Sequence, residues 1–98
     1  MLKKQYYKDG KLCRVWFYLP VELHANQVHL VGDFNNWDET QTPMKRKMDG
    51  TFYIALTLET GKTYQYRYLL DGENWENDWE ADGYEPNSLG EENSVVKV

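Results

Sequence analysis

Gly32-Asp33-Phe34-Asn35-Asn36-Trp37 is the stretch on which the reading of this chain turns. An apolar run, Val28 to Val31, leads into it as a strand. The strand breaks at Gly32, and a polar loop then presents one large indole. Loops carry recognition residues more often than packing residues, and indole, apolar with one polar edge, suits a binding surface.

Working outward, Asp9-Gly10, Asp49-Gly50, Thr60-Gly61, Asp71-Gly72 and Asp82-Gly83 punctuate the chain as turn signals. Asp-Gly supplies the positive φ that tight hairpins need. Short alternating segments lie between them, and this spacing predicts an all-β antiparallel sandwich over a single domain, residues 1–98. Residues 2–8 suit a short edge strand. From Lys11 to Leu19 the alternation places Cys13, Val15, Phe17 and Leu19 inward and Leu12, Arg14, Trp16 and Tyr18 outward, as a second platform or an interface. Pro20 ends that strand and residues 20–27 form a loop. Met44 to Met48 reads as a charge-protected edge. Thr51 to Leu58 turns Phe52, Ile54, Leu56 and Leu58 to one face. Thr63 to Leu70 turns Tyr64, Tyr66, Tyr68 and Leu70 inward and Gln65, Arg67 and Leu69 outward. Residues 71–92 are acidic, aromatic (Trp75, Trp79, Tyr84) and irregular, a combination more often functional than connecting. Asn93 to Val98 closes the sandwich with Val96 and Val98 in the core.

Composition narrows the function. A formal charge of −5 and a pI near 4.9 argue against nucleic acid, which selects a basic stripe, and against an anionic membrane surface. The lone Cys13 cannot form an internal disulfide and reads as a small buried hydrophobe. Polar residues interrupt any apolar stretch after Met1-Leu2-Lys3-Lys4, so no signal peptide is expected, and the apolar run Val15 to Leu19 is too short to span a bilayer. Together these make a cytoplasmic protein the expectation. His24 and His29 stand alone without ligand spacing, and a calcium loop begun at Asp78 would need Glu where Leu89 stands. No metal or other cofactor is expected. The sixteen acids invite a glycosidase reading, but a sandwich of 98 residues offers no deep cleft, and the acids fall in turns where solvation explains them. No nucleophile motif or phosphate loop is present, so no catalytic residue is nominated.

What remains is aromatic. The chain has eight Tyr and four Trp. A glucose polymer offers weakly polar ring faces flanked by hydroxyls, so its binder needs exposed aromatic planes beside planar polar groups. Trp37 and Trp75 supply the first, and Gln65, Arg67 and Asn93 the second. Each also has a plainer role open to it: Trp37 and Trp75 as core, Arg67 as partner to a carboxylate, Asn93 as a cap on the turn into the last strand, Trp79 and Tyr84 as packing for their own segment.

Gly32 to Trp37, Tyr66-Arg67-Tyr68, Asp71-Gly72, Trp75 and Asn93-Ser94-Val95-Val96 together resemble carbohydrate-binding module family 48 over about residues 12–98. These are the glycogen-binding and isoamylase N-terminal modules, and the isoamylase-type branch is the most similar. The resemblance implies an immunoglobulin-like early-set sandwich that binds glycogen, starch or maltooligosaccharide. It implies stacking of glucose on Trp37 and Trp75, a basic hydrogen-bonding residue at Arg67, Leu89 reaching into the helical glucan, and hydroxyl contacts at Asn93. Glu91 and Glu92 depart from the smaller or neutral residues that the family's modules on the β subunit of AMP-activated protein kinase use there. Because isoamylase modules often dock on their own catalytic domain, the resemblance also implies an alternative, a protein-interaction module for a glucan-metabolising enzyme or for its own kind.

Overall fold

The computed structural model describes residues 2–19 and 24–98. Pro20 and the first part of the 20–27 loop lie outside the described residues. The described residues form nine strands in order: β1 (Leu2–Tyr7), β2 (Leu12–Leu19), β3 (Val28–Gly32), β4 (Lys45–Arg46), β5 (Phe52–Glu59), β6 (Thr63–Leu70), β7 (Asn74–Glu76), β8 (Gly83–Pro86) and β9 (Glu92–Lys97). They build two antiparallel sheets, β1-β2-β5-β4 and β3-β6-β9-β8, the expected all-β sandwich of the immunoglobulin-like kind. Among the described residues no helix is long and apolar enough to cross a membrane.

Alternation explains the core. Cys13, Val15, Phe17 and Leu19 from β2 meet Leu30, Tyr66, Tyr68, Leu70 and Val96 from the other sheet, all buried. Phe17 stands edge-on to Tyr66 at 5.1 Å, and Tyr66 to Tyr68 at 5.8 Å, a geometry that suits the ring quadrupoles. Phe52 and Leu58 are buried as expected, whereas Ile54 and Leu56 are only partly covered, packed on the core's margin. Outward Leu69 is buried at 3% exposure, as are Val31 and Val95, so the outer face of the second sheet is covered rather than solvated.

Two expectations about turns and loops need correction. Asp82-Gly83 makes no turn: Gly83 opens β8, and Asp82 Oδ2 accepts from the Lys97 backbone N–H at 2.8 Å and from Lys4 Nζ at 2.6 Å. Nor are residues 71–92 irregular throughout, since β7 and β8 both lie within them. Asp78, read as one solvated acid among many, is 2% exposed and accepts hydrogen bonds from the Tyr66 and Tyr68 hydroxyls at 2.8 and 3.2 Å. Burial first, then charge on Asp78, pushes the Tyr68 hydroxyl well above the ordinary value of 10.0, which keeps it a donor.

The hairpin from β6 to β7 bends at Asp71-Gly72, both at positive φ (53° and 71°), with Glu73 N–H donating to the Leu70 carbonyl at 3.1 Å. The same hairpin matters for the site. On one side β6 pairs with β3. On the other it pairs with β9 through Thr63 to Tyr66 and then with β7 through Tyr68 to Leu70. Arg67 sits at the junction between those two partners.

Gly32 is required for a different reason. Its φ of −173° is ordinary extended backbone. A Cβ there would lie 2.5 Å from the Gln65 carbonyl oxygen and 2.8 Å from Tyr66 Cβ, so β3 could not approach β6 this closely with any side chain. Gly32→Ala is therefore expected to cost about 2 kcal/mol, the scale of overpacking a tight interior, and to lower the melting temperature by about 10 °C. A thermal melt within 2–3 °C of native, roughly the effect of half a kcal/mol, would show that β3 shifts freely.

Candidate functional site

The loop after β3 is built so that one indole faces out. Asp33–Asn35 form a single 3-10 turn. Asn35, 5% exposed, accepts from Gly32 N–H at 3.0 Å and donates through Nδ2 to the Leu30 carbonyl and Thr42 Oγ1, both at 2.9 Å. Phe34 turns inward against Phe17 at 5.7 Å and Tyr66 at 6.5 Å. Asn36 and Trp37 both take the left-handed conformation, φ 56° and 57°, which reverses the chain and turns the indole away from the core. Asp33 then holds it: Oδ1 accepts from Trp37 Nε1 at 3.0 Å, while Oδ2 accepts from the Gln65 backbone N–H at 2.7 Å and ties the loop to β6. Each residue of the motif thus has its own task in fixing Trp37.

Trp37 forms one wall of an open cleft of about 350 Å³, lined also by Arg67, Trp75, Asn87, Ser88, Leu89, Glu91 and Asn93. Of the six residues nominated from the sequence, Trp37, Arg67, Trp75, Leu89 and Asn93 line it, brought there by the β3 loop, β6, β7, the turn after β8, and β9, whereas Gln65 does not and instead accepts from Asn93 Nδ2. Trp75 is 38% exposed and Leu89 81%. Trp79, 57% exposed, does not line the cleft and donates to Glu76 Oε1 at 3.2 Å. Tyr84 lies outside it too, its hydroxyl donating to the Asp78 carbonyl at 2.6 Å.

The polar members are already engaged. The Arg67 guanidinium lies 5.6 Å from the Trp75 ring centroid and donates from Nη1 to Glu91 Oε1 at 3.0 Å. The carboxylate partner left open for Arg67 is therefore real, and the same guanidinium props the indole from the side. Asn93 stands inside β9 rather than capping the turn before it, and is 8% exposed. It donates to Gln65 Oε1 at 3.0 Å and accepts from Asn87 Nδ2 at 3.1 Å. Each bond uses only one of its donors or acceptors, so it retains capacity for a ligand hydroxyl.

Sequence reasoning missed Asn87 and Ser88 and named Glu91 only as an oddity. Asn87 shapes the turn that carries Leu89: its Oδ1 accepts from the N–H groups of Leu89 and Glu91 at 2.9 and 3.1 Å, and its own N–H donates to the Glu91 carbonyl at 2.8 Å. Pro86-Asn87-Ser88 ahead of Gly90 was the available signal, since Asn after Pro favours a turn closed by its own side chain. Among the described residues no group of three or more His, Cys, Asp or Glu could hold a metal ion.

Known proteins place this architecture. Residues 6–85 match the model of carbohydrate-binding module 48, described as the isoamylase N-terminal domain. The chain is 38% identical over 71 residues to the 1,4-alpha-glucan branching enzyme GlgB of Aquifex aeolicus, which covers 71% of this chain and 11% of that enzyme. It is 35% identical over 76 residues to the chloroplastic Protein PTST homolog 2 of Arabidopsis thaliana, covering 76% of the chain and 13% of that protein. With the branching enzyme of Butyrivibrio fibrisolvens it shares 33% identity over 77 residues, 79% of the chain and 11% of the enzyme. The chain thus spans about an eighth or less of the length of these relatives. A match to the family model over four-fifths of its length, on a sandwich that displays the Trp37 loop, makes this chain a member of carbohydrate-binding module family 48.

Proposed function

We propose that this module binds α-1,4-glucan (glycogen, starch or maltooligosaccharide) without transforming it. Glucose rings stack on Trp37 and Trp75, Leu89 reaches into the glucan helix, and Arg67 and Asn93 contribute at the hydroxyls. One observation carries the reading. Five of the six side chains nominated for sugar binding, from five separate segments, converge on one open cleft with two aromatic walls. Names support the polymer: two of the relatives described are 1,4-alpha-glucan branching enzymes. Affinity electrophoresis tests it, with native protein slowed in a gel containing glycogen relative to one without. Unchanged mobility refutes it.

The absence of catalysis has its own check. Among the described residues the cleft is lined by a single carboxylate, Glu91, which is engaged by Arg67, so they offer no acid–base pair to cleave a glycosidic bond. Incubation with glycogen or maltoheptaose is expected to release no reducing sugar. Hydrolysis that disappears on a point substitution would overturn this.

The opposite face favours a second reading, docking on a glucan-metabolising enzyme. Trp16 and Tyr18 are half-buried on the outer face of the first sheet, but they are not open platforms. Lys3 and Arg14 lie 5.7 and 5.5 Å from the Trp16 ring, and Lys47 lies 5.0 Å from that of Tyr18. Trp16, half-buried and flanked by two cations where Trp75 has one, suits a partner surface. Under that reading the native protein shows no glycogen retention and loses its partner on Trp16→Ala.

A further inference from the structure

Among the described residues Glu91 is the one anionic side chain that lines the cleft, and it is also its most exposed charge. Its side chain is 58% exposed, while that of its partner Arg67 is 14% exposed. A ligand entering the cleft therefore meets the carboxylate first, with the guanidinium lying beneath it. Arg67 is engaged on two sides, by Glu91 at 3.0 Å and by the Trp75 ring at 5.6 Å, and its unpartnered Nε is buried out of a ligand's reach. The turn fixes Glu91 in place, because its backbone N–H and carbonyl are both bonded to Asn87. The surroundings share its sign: residues 71–92 hold nine Asp or Glu and no Lys or Arg.

Resting on the glucan reading of this site, we infer that Glu91 is its specificity-determining residue, restricting the cleft to neutral glucan and rejecting glucan that carries phosphate monoesters. The physical basis is simple. A phosphate monoester brings a charge of about −1.5 to −2 at neutral pH, and Arg is the side chain best shaped to hold it. Here that Arg is already neutralised, so the phosphate gains no free cation and faces a carboxylate at short range. Neutral hydroxyls are indifferent to this charge. The role predicted for Glu91 is thus discrimination, separate from the stacking that supplies affinity.

The test titrates maltoheptaose, and maltoheptaose carrying one phosphate monoester, into native protein, Glu91→Gln and Glu92→Gln by calorimetry. Each is measured at ionic strengths of about 10 mM and about 500 mM, where charge interactions reach roughly 30 Å and under 5 Å respectively. Gln keeps the shape and an acceptor for Arg67, and Glu92 is an exposed neighbour that does not line the cleft. Native protein is expected to bind the neutral ligand equally at both salts and the phosphorylated one about tenfold more weakly at low salt, with the gap closing at high salt. Glu91→Gln should recover that tenfold or reverse the preference, whereas Glu92→Gln should recover far less. Native protein that binds both ligands alike, or equal recovery by the two variants, overturns the inference and leaves the glucan reading standing. Native protein that binds neither ligand at either salt overturns both.

Discussion

Trp37→Ala and Trp75→Ala are each expected to weaken binding of maltoheptaose by about thirtyfold, the cost of removing an aromatic anchor worth about 2 kcal/mol. One module measured by itself gains no avidity from a second site, so its affinity should lie between about micromolar and about millimolar, and a thirtyfold loss takes it to the edge of detection. The two substitutions act by different routes. Removing Trp37 deletes a ring whose polar tie among the described residues is to Asp33, and the bond from Gln65 N–H to Asp33 survives. The loop should keep its place and the domain its melting temperature. Removing Trp75 also takes away the surface on which the Arg67 guanidinium rests, and Glu91 alone then holds that side chain. Arg67→Ala should cost less than either. Calorimetry on variants whose melting curves match the native one makes the measurement, and variants that bind as tightly as native would remove the two indoles from the site.

The split between what the sequence made legible and what it hid follows the origin of order in each segment. β2 and β6 were readable because each buries one face, so alternation records the fold: Cys13, Val15, Phe17 and Leu19, or Tyr66, Tyr68 and Leu70, all enter the core. Within residues 74–92, the stretches outside the short β7 and β8 take their shape from side chains bonded to backbone, which leaves no period to detect. Asn77 Oδ1 accepts from the Ser94 N–H and hydroxyl at 3.1 and 2.8 Å, Asp82 binds across to Lys97, and Asn87 closes its own turn. The partners of Asn77 and Asp82 lie up to seventeen positions away, where nothing local announces them, and only the Asn87 turn carried a local signal. The cleft was half legible for the same reason. Its aromatic and polar residue types were visible as an excess, but the pairing of Arg67 with Glu91, twenty-four positions away, depends on how β6 meets the turn before β9.

The second large effect belongs to Asp78, which joins the segment of Trp75 to the core. Asp78→Ala is expected to lower stability by about 4 kcal/mol, because it strands two buried hydroxyls, Tyr66 and Tyr68, at about 1–3 kcal/mol each, and removes the acceptor of the Glu80 N–H. For a domain of this size that is a melting temperature lower by about 20 °C. The bonds made by the Asp78 backbone, to Ser94 Oγ at 2.8 Å and from the Tyr84 hydroxyl at 2.6 Å, do not depend on its side chain, so the segment should stay near β9 in whatever fraction remains folded. Asp78→Asn keeps the volume and one carbonyl oxygen, and the tyrosine hydroxyls can rotate to donate to it or to accept from its amide, so it should cost only about 1 kcal/mol. A lost packing volume and a lost acceptor predict different things for a third variant. If unsatisfied hydroxyls dominate, replacing both tyrosines by Phe in the Asp78→Ala background removes the stranded groups and should restore about 2 kcal/mol of the deficit. If the cavity dominates, the triple variant should be no more stable than Asp78→Ala. Chemical denaturation of the four proteins separates the two, and an Asp78→Ala protein within about 1 kcal/mol of native would show that water reaches those hydroxyls and that Asp78 is not what secures this segment.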